Sequence, residues 1–110
     1  MQKIGYVYIL SNKNRTVLYI GMTNNLEARV LKHKALVGAI FPSKYKATDL
    51  LYYERIHGMM NCIDREKQLK NWHKEWKWNL IKEENPELID LAKDWYTEAE
   101  IEEMRINNTN

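Results

Sequence analysis

Leu18-Tyr-Ile-Gly-Met-Thr-Asn-Asn-Leu-Glu-Ala-Arg-Val-Leu-Lys-His-Lys34 reads as a short buried strand that runs through a glycine into a helix. Val17, Leu18, Tyr19 and Ile20 are β-branched, aromatic or apolar, which suits a pleated surface. Gly21 frees the backbone for a turn and for close approach of a ligand. Asn24 stands where a helix cap is needed, and Glu27, three residues on, can return a bond or face the positive helix end. On that helix Leu26, Val30 and Val37 fall along one line, His33 lies between them, and Arg29 flanks it one turn earlier. Arg29 and His33 are therefore expected to project together beside the end of the strand.

Upstream, Tyr6-Val-Tyr-Ile-Leu10 is a strand by composition, and the polar residues 11–16 connect it to the second strand as an antiparallel hairpin. Pairing Leu10 with Val17 sets Tyr8 opposite Tyr19, with both rings on one sheet face. Composition alone favours core packing over chemistry for two strand tyrosines. Downstream, the helix is expected to end near Gly38. Residues 39–46 read as a loop carrying Lys44 and Lys46, and residues 48–56 as a third strand around Leu50-Leu-Tyr-Tyr53. Glu54, at the end of that strand, is open to either a structural or a chemical reading.

A second helix is expected from Asn61, with Asp64 in its first turn, through Trp72. Cys62, Leu69 and Trp76 repeat at seven-residue spacing, and Glu66 and His73 fall within the same stripe. A carboxylate on an apolar face is costly unless it is paired or holds a metal. Glu66 is thus either a functional acid or the partner of Arg29 in a buried ion pair. Residues 74–82 continue helical after a bend, with Trp76, Trp78, Leu80 and Ile81 for packing and Asn79 as a further candidate for the site. Asn85-Pro-Glu87 is expected to restart a helix that buries Leu88, Ile89, Leu91 and Ala92 and closes on Trp95. Thr97-Glu-Ala-Glu100 is a capping box for a last acidic helix, with a frayed end from Asn107.

A chain of 110 residues with 45% hydrophobic content is the size of one domain with a true core. Its single cysteine, Cys62, excludes an internal disulfide, and no apolar run approaches the length of a membrane span. The start, Met1-Gln-Lys-Ile-Gly5, lacks the apolar core of a signal peptide, so the cytoplasm is the expected compartment. The net charge of +2 hides an asymmetry: residues 1–82 carry 15 Lys and Arg against 6 Asp and Glu, and residues 83–110 carry 2 against 9. A body of +9 favours a polyanion such as nucleic acid, which a tail of −7 would repel; two solvated surfaces would give the same totals.

The ordered set Tyr6-Val-Tyr8, Tyr19-Ile-Gly21, Arg29, His33 and Glu66 resembles the GIY-YIG nuclease family, in particular small stand-alone bacterial members similar to the nuclease domain of the excision-repair incision enzyme. The likeness runs from about Ile4 to Lys82, and residues 85–91 also resemble that subgroup; Tyr6 stands where glycine is typical. The resemblance implies an α+β fold, a small central three-stranded antiparallel sheet flanked by helices. Residues 1–96 would form the nuclease-like domain and residues 97–110 an acidic helix and end. It also implies hydrolysis of DNA phosphodiester bonds with one Mg²⁺ or Mn²⁺ ion, in repair or recombination. Tyr8 would act as general base or orient the attacking water, Tyr19 would shape the site, Arg29 would bind non-bridging oxygens and Glu66 would hold the metal. His33 would bond Tyr8 or move a proton, and Gly21, Lys44 and Lys46 would meet the substrate. A homodimer or a protein partner would supply specificity. The alternative is a nucleic-acid-binding or protein-interaction module that keeps the fold without catalysis.

Overall fold

Residues 7–11 of the first strand are buried without a break, the pattern of a strand covered on both faces, and this strand is the centre of the sheet. The computed structural model describes residues 3–108. In chain order the elements are β1 (Ile4–Ser11), β2 (Leu18–Thr23), α1 (Leu26–Lys34), α2 (Ile40–Lys44), β3 (Asp49–His57), α3 (Met59–Asn71), α4 (Lys74–Glu84) and α5 (Glu98–Asn107). The strands form one antiparallel sheet in the order β2-β1-β3, so the expected α+β fold with a three-stranded sheet is present. No helix among the described residues is long and apolar enough to cross a membrane.

Strand alternation sorts the core into two layers. Val7, Ile9 and Ile20 join Leu51, Tyr52, Cys62, Leu69 and Ile81 on the side covered by α3 and α4. Tyr8 and Leu10 join Leu26, Val30, Ala47, Leu50 and Ala92 on the side covered by α1 and the C-terminal segment. A register shift between Ile9 and Leu10 leaves Leu51 without an opposite residue, and Leu51 and Tyr52 then pack in the same layer.

The hairpin register differs from expectation by two residues. Tyr8 faces Gly21 and Leu10 faces Tyr19, because the connection is tied into a longer loop before pairing begins. Asn12 Oδ1 accepts from the N–H groups of Thr16 (2.8 Å) and Val17 (3.1 Å), and Ser11 Oγ donates to the Val17 carbonyl at 2.7 Å. An even slip keeps each side chain on its face, so Tyr8 and Tyr19 still share one, with ring centroids 6.4 Å apart.

Several boundaries also move. Asn25, not Asn24, caps α1, its Oδ1 accepting from Ala28 N–H at 3.1 Å. The helix ends at Lys34 because Leu36 takes the left-handed conformation at φ +59°, so Val37 lies beyond the helix and off its stripe. Residues 40–44, expected as loop, form the short α2. The second helix starts two residues before Asn61, whose side chain donates to the His57 carbonyl instead of capping. The chain then turns extended at Trp72 and His73, which puts Trp76 on a separate helix, 53% exposed and off the Cys62–Leu69 stripe.

Residues 85–95 contain no helix, contrary to the proline-led expectation. Asn85 is 4% exposed and spends its side chain on backbone groups. Its Nδ2 donates to the carbonyls of Leu51 (3.1 Å) and Ile89 (2.8 Å), and its Oδ1 accepts from Ile89 N–H (3.1 Å). Leu88 is left-handed at φ +55°, which breaks helical propagation. The segment then lies along the β3 edge: Leu91 N–H donates to the Leu50 carbonyl at 2.8 Å, and Asp90 Oδ1 accepts from Leu50 N–H at 2.9 Å. An otherwise open sheet edge is thereby covered. Beyond it, α5 begins with the expected Thr97–Glu100 capping box and packs on α1; of the expected frayed end, residues 109–110 lie outside the described residues.

Candidate active site

Gly21 lies directly across the sheet from Tyr8, and the consequence is steric. A Cβ at position 21 would stand 2.5 Å from Tyr8 Oη and 2.6 Å from Cζ, so only glycine lets the phenol lie over β2. The hydroxyl thereby reaches the face of α1 where Arg29 and His33, one turn apart, both point at it. Tyr8 Oη and His33 Nε2 are 2.9 Å apart, and Arg29 Nε–H donates to the same oxygen at 3.4 Å. The ring centroids of Tyr8, Tyr19 and His33 lie 5.5–6.4 Å from one another.

The site is dry. Tyr8 is fully buried, and burial, assisted by Tyr19 and the charge of Glu66, pushes its phenol up to about 12 against the opposing pull of the Arg29 hydrogen bond and charge. His33 is 2% exposed; burial first, and then the Arg29 charge, pull its imidazole down to about 4, so it is neutral at pH 7. Its Nδ1 is buried with no partner among the described residues. With the imidazole proton on Nδ1, Nε2 accepts from the protonated phenol; with it on Nε2, His33 donates instead and the phenol oxygen receives two N–H donors, the arrangement that suits its ionised form.

Glu66 approaches from α3. Its side chain is 17% exposed, and its ion-pair partner is Lys70 at 3.6 Å, one helical turn on, not Arg29. Glu54, by contrast, is committed to structure: Arg65 donates to it twice, at 2.8 and 2.7 Å, and the Tyr52 hydroxyl donates at 2.5 Å. Among the described residues no three acids, histidines or cysteines cluster as a ready metal cage. A lone carboxylate is nonetheless a fitting donor set for a hard ion that keeps most of its waters and shares phosphate oxygens.

Lys44 and Lys46 are exposed at and just after the end of α2. The Lys44 ammonium sits 5.5 Å over the Tyr45 ring, and Tyr45 packs on Phe41, which stacks on Tyr19 at 5.7 Å; Lys46 makes no such contact. Asn79 is exposed on α4. Sequence reasoning missed Phe41, Lys74 and Lys77. With Leu18, Tyr19 and Lys70 they line two adjoining hollows of about 300 and 280 Å³ beside β2. The spacing of Lys70, Lys74 and Lys77 was the available signal, but the break at Trp72 and His73 divides it between two helices.

The family model of the GIY-YIG catalytic domain matches residues 4–79, which include every residue just placed around Tyr8. The chain belongs to the GIY-YIG family. Its relatives include a UPF0213 protein of Clostridium perfringens, 36% identical over 89 residues that cover 76% of this chain and 95% of the relative. A UPF0213 protein of Staphylococcus haemolyticus is 33% identical over 78 residues, covering 71% and 94% respectively. One of Natronomonas pharaonis is 34% identical over 79 residues, covering 72% and 92%. No solved structure matches the chain at a significant level. As a GIY-YIG protein the chain is of nuclease type, with a nucleic acid as the substrate that this type implies. Residues 80–108, including the segment that covers β3, lie outside the GIY-YIG match.

Proposed function

We propose that the chain is a metal-dependent endonuclease that hydrolyses DNA phosphodiester bonds, of the kind used in repair or recombination. One observation carries this reading: the buried Tyr8 oxygen meets both Arg29 and His33 over Gly21 while the Glu66 charge acts on it from α3. Core packing alone does not call for a guanidinium and an imidazole to be aimed at one phenol oxygen.

Arg29 binds the non-bridging oxygens of the scissile phosphate through its planar fork. Its bond to Tyr8 is long, at 3.4 Å, so the phosphate is the better partner, and a shift of the guanidinium toward it opens the phenol oxygen to an attacking water. Tyr8, in its ionised form, then orients that water and receives its proton as the water oxygen bonds to phosphorus; the bond from phosphorus to the 3′ oxygen breaks, and that oxygen takes a proton from solvent as it leaves. A phenol at about 12 is ionised in about one molecule in 10⁵ at pH 7, a deficit of about 7 kcal/mol that the field around it must offset. His33, donating from Nε2, supports the phenolate form of Tyr8 that takes the proton, and Tyr19 walls the site against bulk water. Glu66 would hold Mg²⁺ or Mn²⁺, which when bound supplies positive charge to the phosphate and the leaving oxygen. Lys70, Lys74 and Lys77, with Lys44 and Lys46 farther out, guide the strand along β2, while Gly21, buried under the Tyr8 ring, serves by making room for that ring and not by meeting the substrate.

The test is a panel of labelled single-stranded, nicked, branched and duplex DNAs incubated with the protein and Mg²⁺ or Mn²⁺, beside Glu66→Ala. Cutting of at least one DNA by the native chain, lost in Glu66→Ala and on chelation, is the expected result. Binding to the panel with no cutting in either metal would overturn the catalytic reading and leave a binding module.

A further inference from the structure

A second cleft opens on the same sheet face as Tyr8, two residues back along β1. Tyr6 pairs with Arg55 and Tyr8 with Tyr53 across the β1–β3 ladder, so Tyr6, Tyr53 and Arg55 share one face. Trp95 comes over them from the C-terminal segment. The Tyr6 and Tyr53 rings meet edge to face at 6.5 Å, and the Tyr53 and Trp95 rings at 6.3 Å. These side chains, with Asn24 and Glu27 at the start of α1, line a hollow of about 370 Å³. Tyr6 lies within the family match and Trp95 beyond it, so the cleft joins the matched domain to the C-terminal segment.

We propose that this cleft receives an unpaired nucleobase of the bound strand, next to the nucleotide at the cut; this rests on the nucleic-acid reading above. Three aromatic residues, the side-chain type on which nucleobases stack, line the hollow. Around them stand hydrogen-bonding groups of both signs that the fold does not use. The Arg55 guanidinium is exposed and unpaired among the described residues, the Asn24 amide is likewise uncommitted, and the Glu27 carboxylate can accept from a base amino group. The Glu27 charge disfavours a phosphate at this spot, whereas a base edge uses donors and acceptors together. A phosphate has its own place alongside: Asn24 and Asn25 form a shared wall, behind which Arg29 and Lys32 line an adjoining hollow of about 220 Å³. The base cleft and the cationic hollow share that wall, and Arg29 of the hollow also reaches Tyr8 Oη, which sets the base beside the nucleotide at the cut.

The test measures binding of a single-stranded oligodeoxynucleotide, intact or abasic at one position in turn, to the full chain carrying Tyr8→Phe so that the strand survives. Trp95→Ala and Arg55→Gln are compared on that background. Trp95→Ala is expected to weaken the intact strand about tenfold, and one abasic position is expected to bind weakly already and to lose no more. Trp95 also touches the core, so Arg55→Gln, an exposed change, provides the independent arm: it must weaken the intact strand more than that abasic one. Equal effects on intact and abasic strands, or none, would overturn the cleft while DNA cutting by the native chain left the nuclease reading standing. No binding of any oligonucleotide would overturn both.

Discussion

Gly21 shows how one missing side chain can organise a site. Its absent Cβ is the space that the Tyr8 phenol crosses, and the Tyr8 ring is held from behind by a packed layer that includes Leu10, Leu26 and Val30. Gly21→Ala therefore forces the ring to move against a full core. A loss of about 1–3 kcal/mol in urea unfolding is expected, together with the Tyr8–His33 bond. His33 gives a second residue-scale expectation. Its imidazole is held at about 4 in the fold and near 6.5 when unfolded, so between these values the unfolded chain binds the proton and the folded chain does not. Stability present above pH 6.5 is then lost as pH falls toward 4. Unfolding free energies from urea titrations at pH 7.5 and pH 5 should differ by about 2 kcal/mol in the native chain, and His33→Gln should remove that difference. Asp49 and Glu54, whose carboxyls sit below their usual range beside Lys13, Arg15 and Arg65, lose their contribution at lower pH than this window.

At the scale of elements, the sequence was readable where local rules and packing agree. The i, i+4 pair Arg29 and His33 and the Thr97 capping box stand as their patterns indicate, whereas β2 does not turn at Gly21 as expected but stays paired with β1 through it to Thr23. It misled where side chains competed with backbone pairing. Asn12 lengthened the hairpin loop, Leu36 ended α1 without a glycine, and Asn85 with Asp90 turned a helix-like stretch into a clasp on β3. Those outcomes depend on partners distant in sequence, such as the Leu51 carbonyl and Leu50 N–H, that no local pattern reveals. The clasp makes its own prediction: Asn85→Ala leaves the buried Leu51 carbonyl and both Ile89 backbone groups without this partner. It should cost about 2–3 kcal/mol in chemical denaturation, well above a surface substitution.

Across the whole molecule, the basic body and the acidic tail are joined through specific contacts. Asp90 pairs with Lys34 at 2.5 Å, Arg15 donates twice to the Leu88 carbonyl, and α5 lies against α1. The tail thus braces the helix that carries Arg29 and His33, while the lysines beside β2 stay on the other flank of the site. Four residues from three elements then meet at one buried phenol oxygen or act on it electrostatically, and the claim that this oxygen serves hydrolysis is the centre of the account. The most direct measurement is the single-turnover cutting rate of a bound DNA strand by the native chain and by Tyr8→Phe in Mg²⁺ or Mn²⁺, with affinity read on the same samples. The account predicts a loss of at least about 100-fold in rate with affinity within a few-fold of native. Cutting by Tyr8→Phe at the native rate would contradict it.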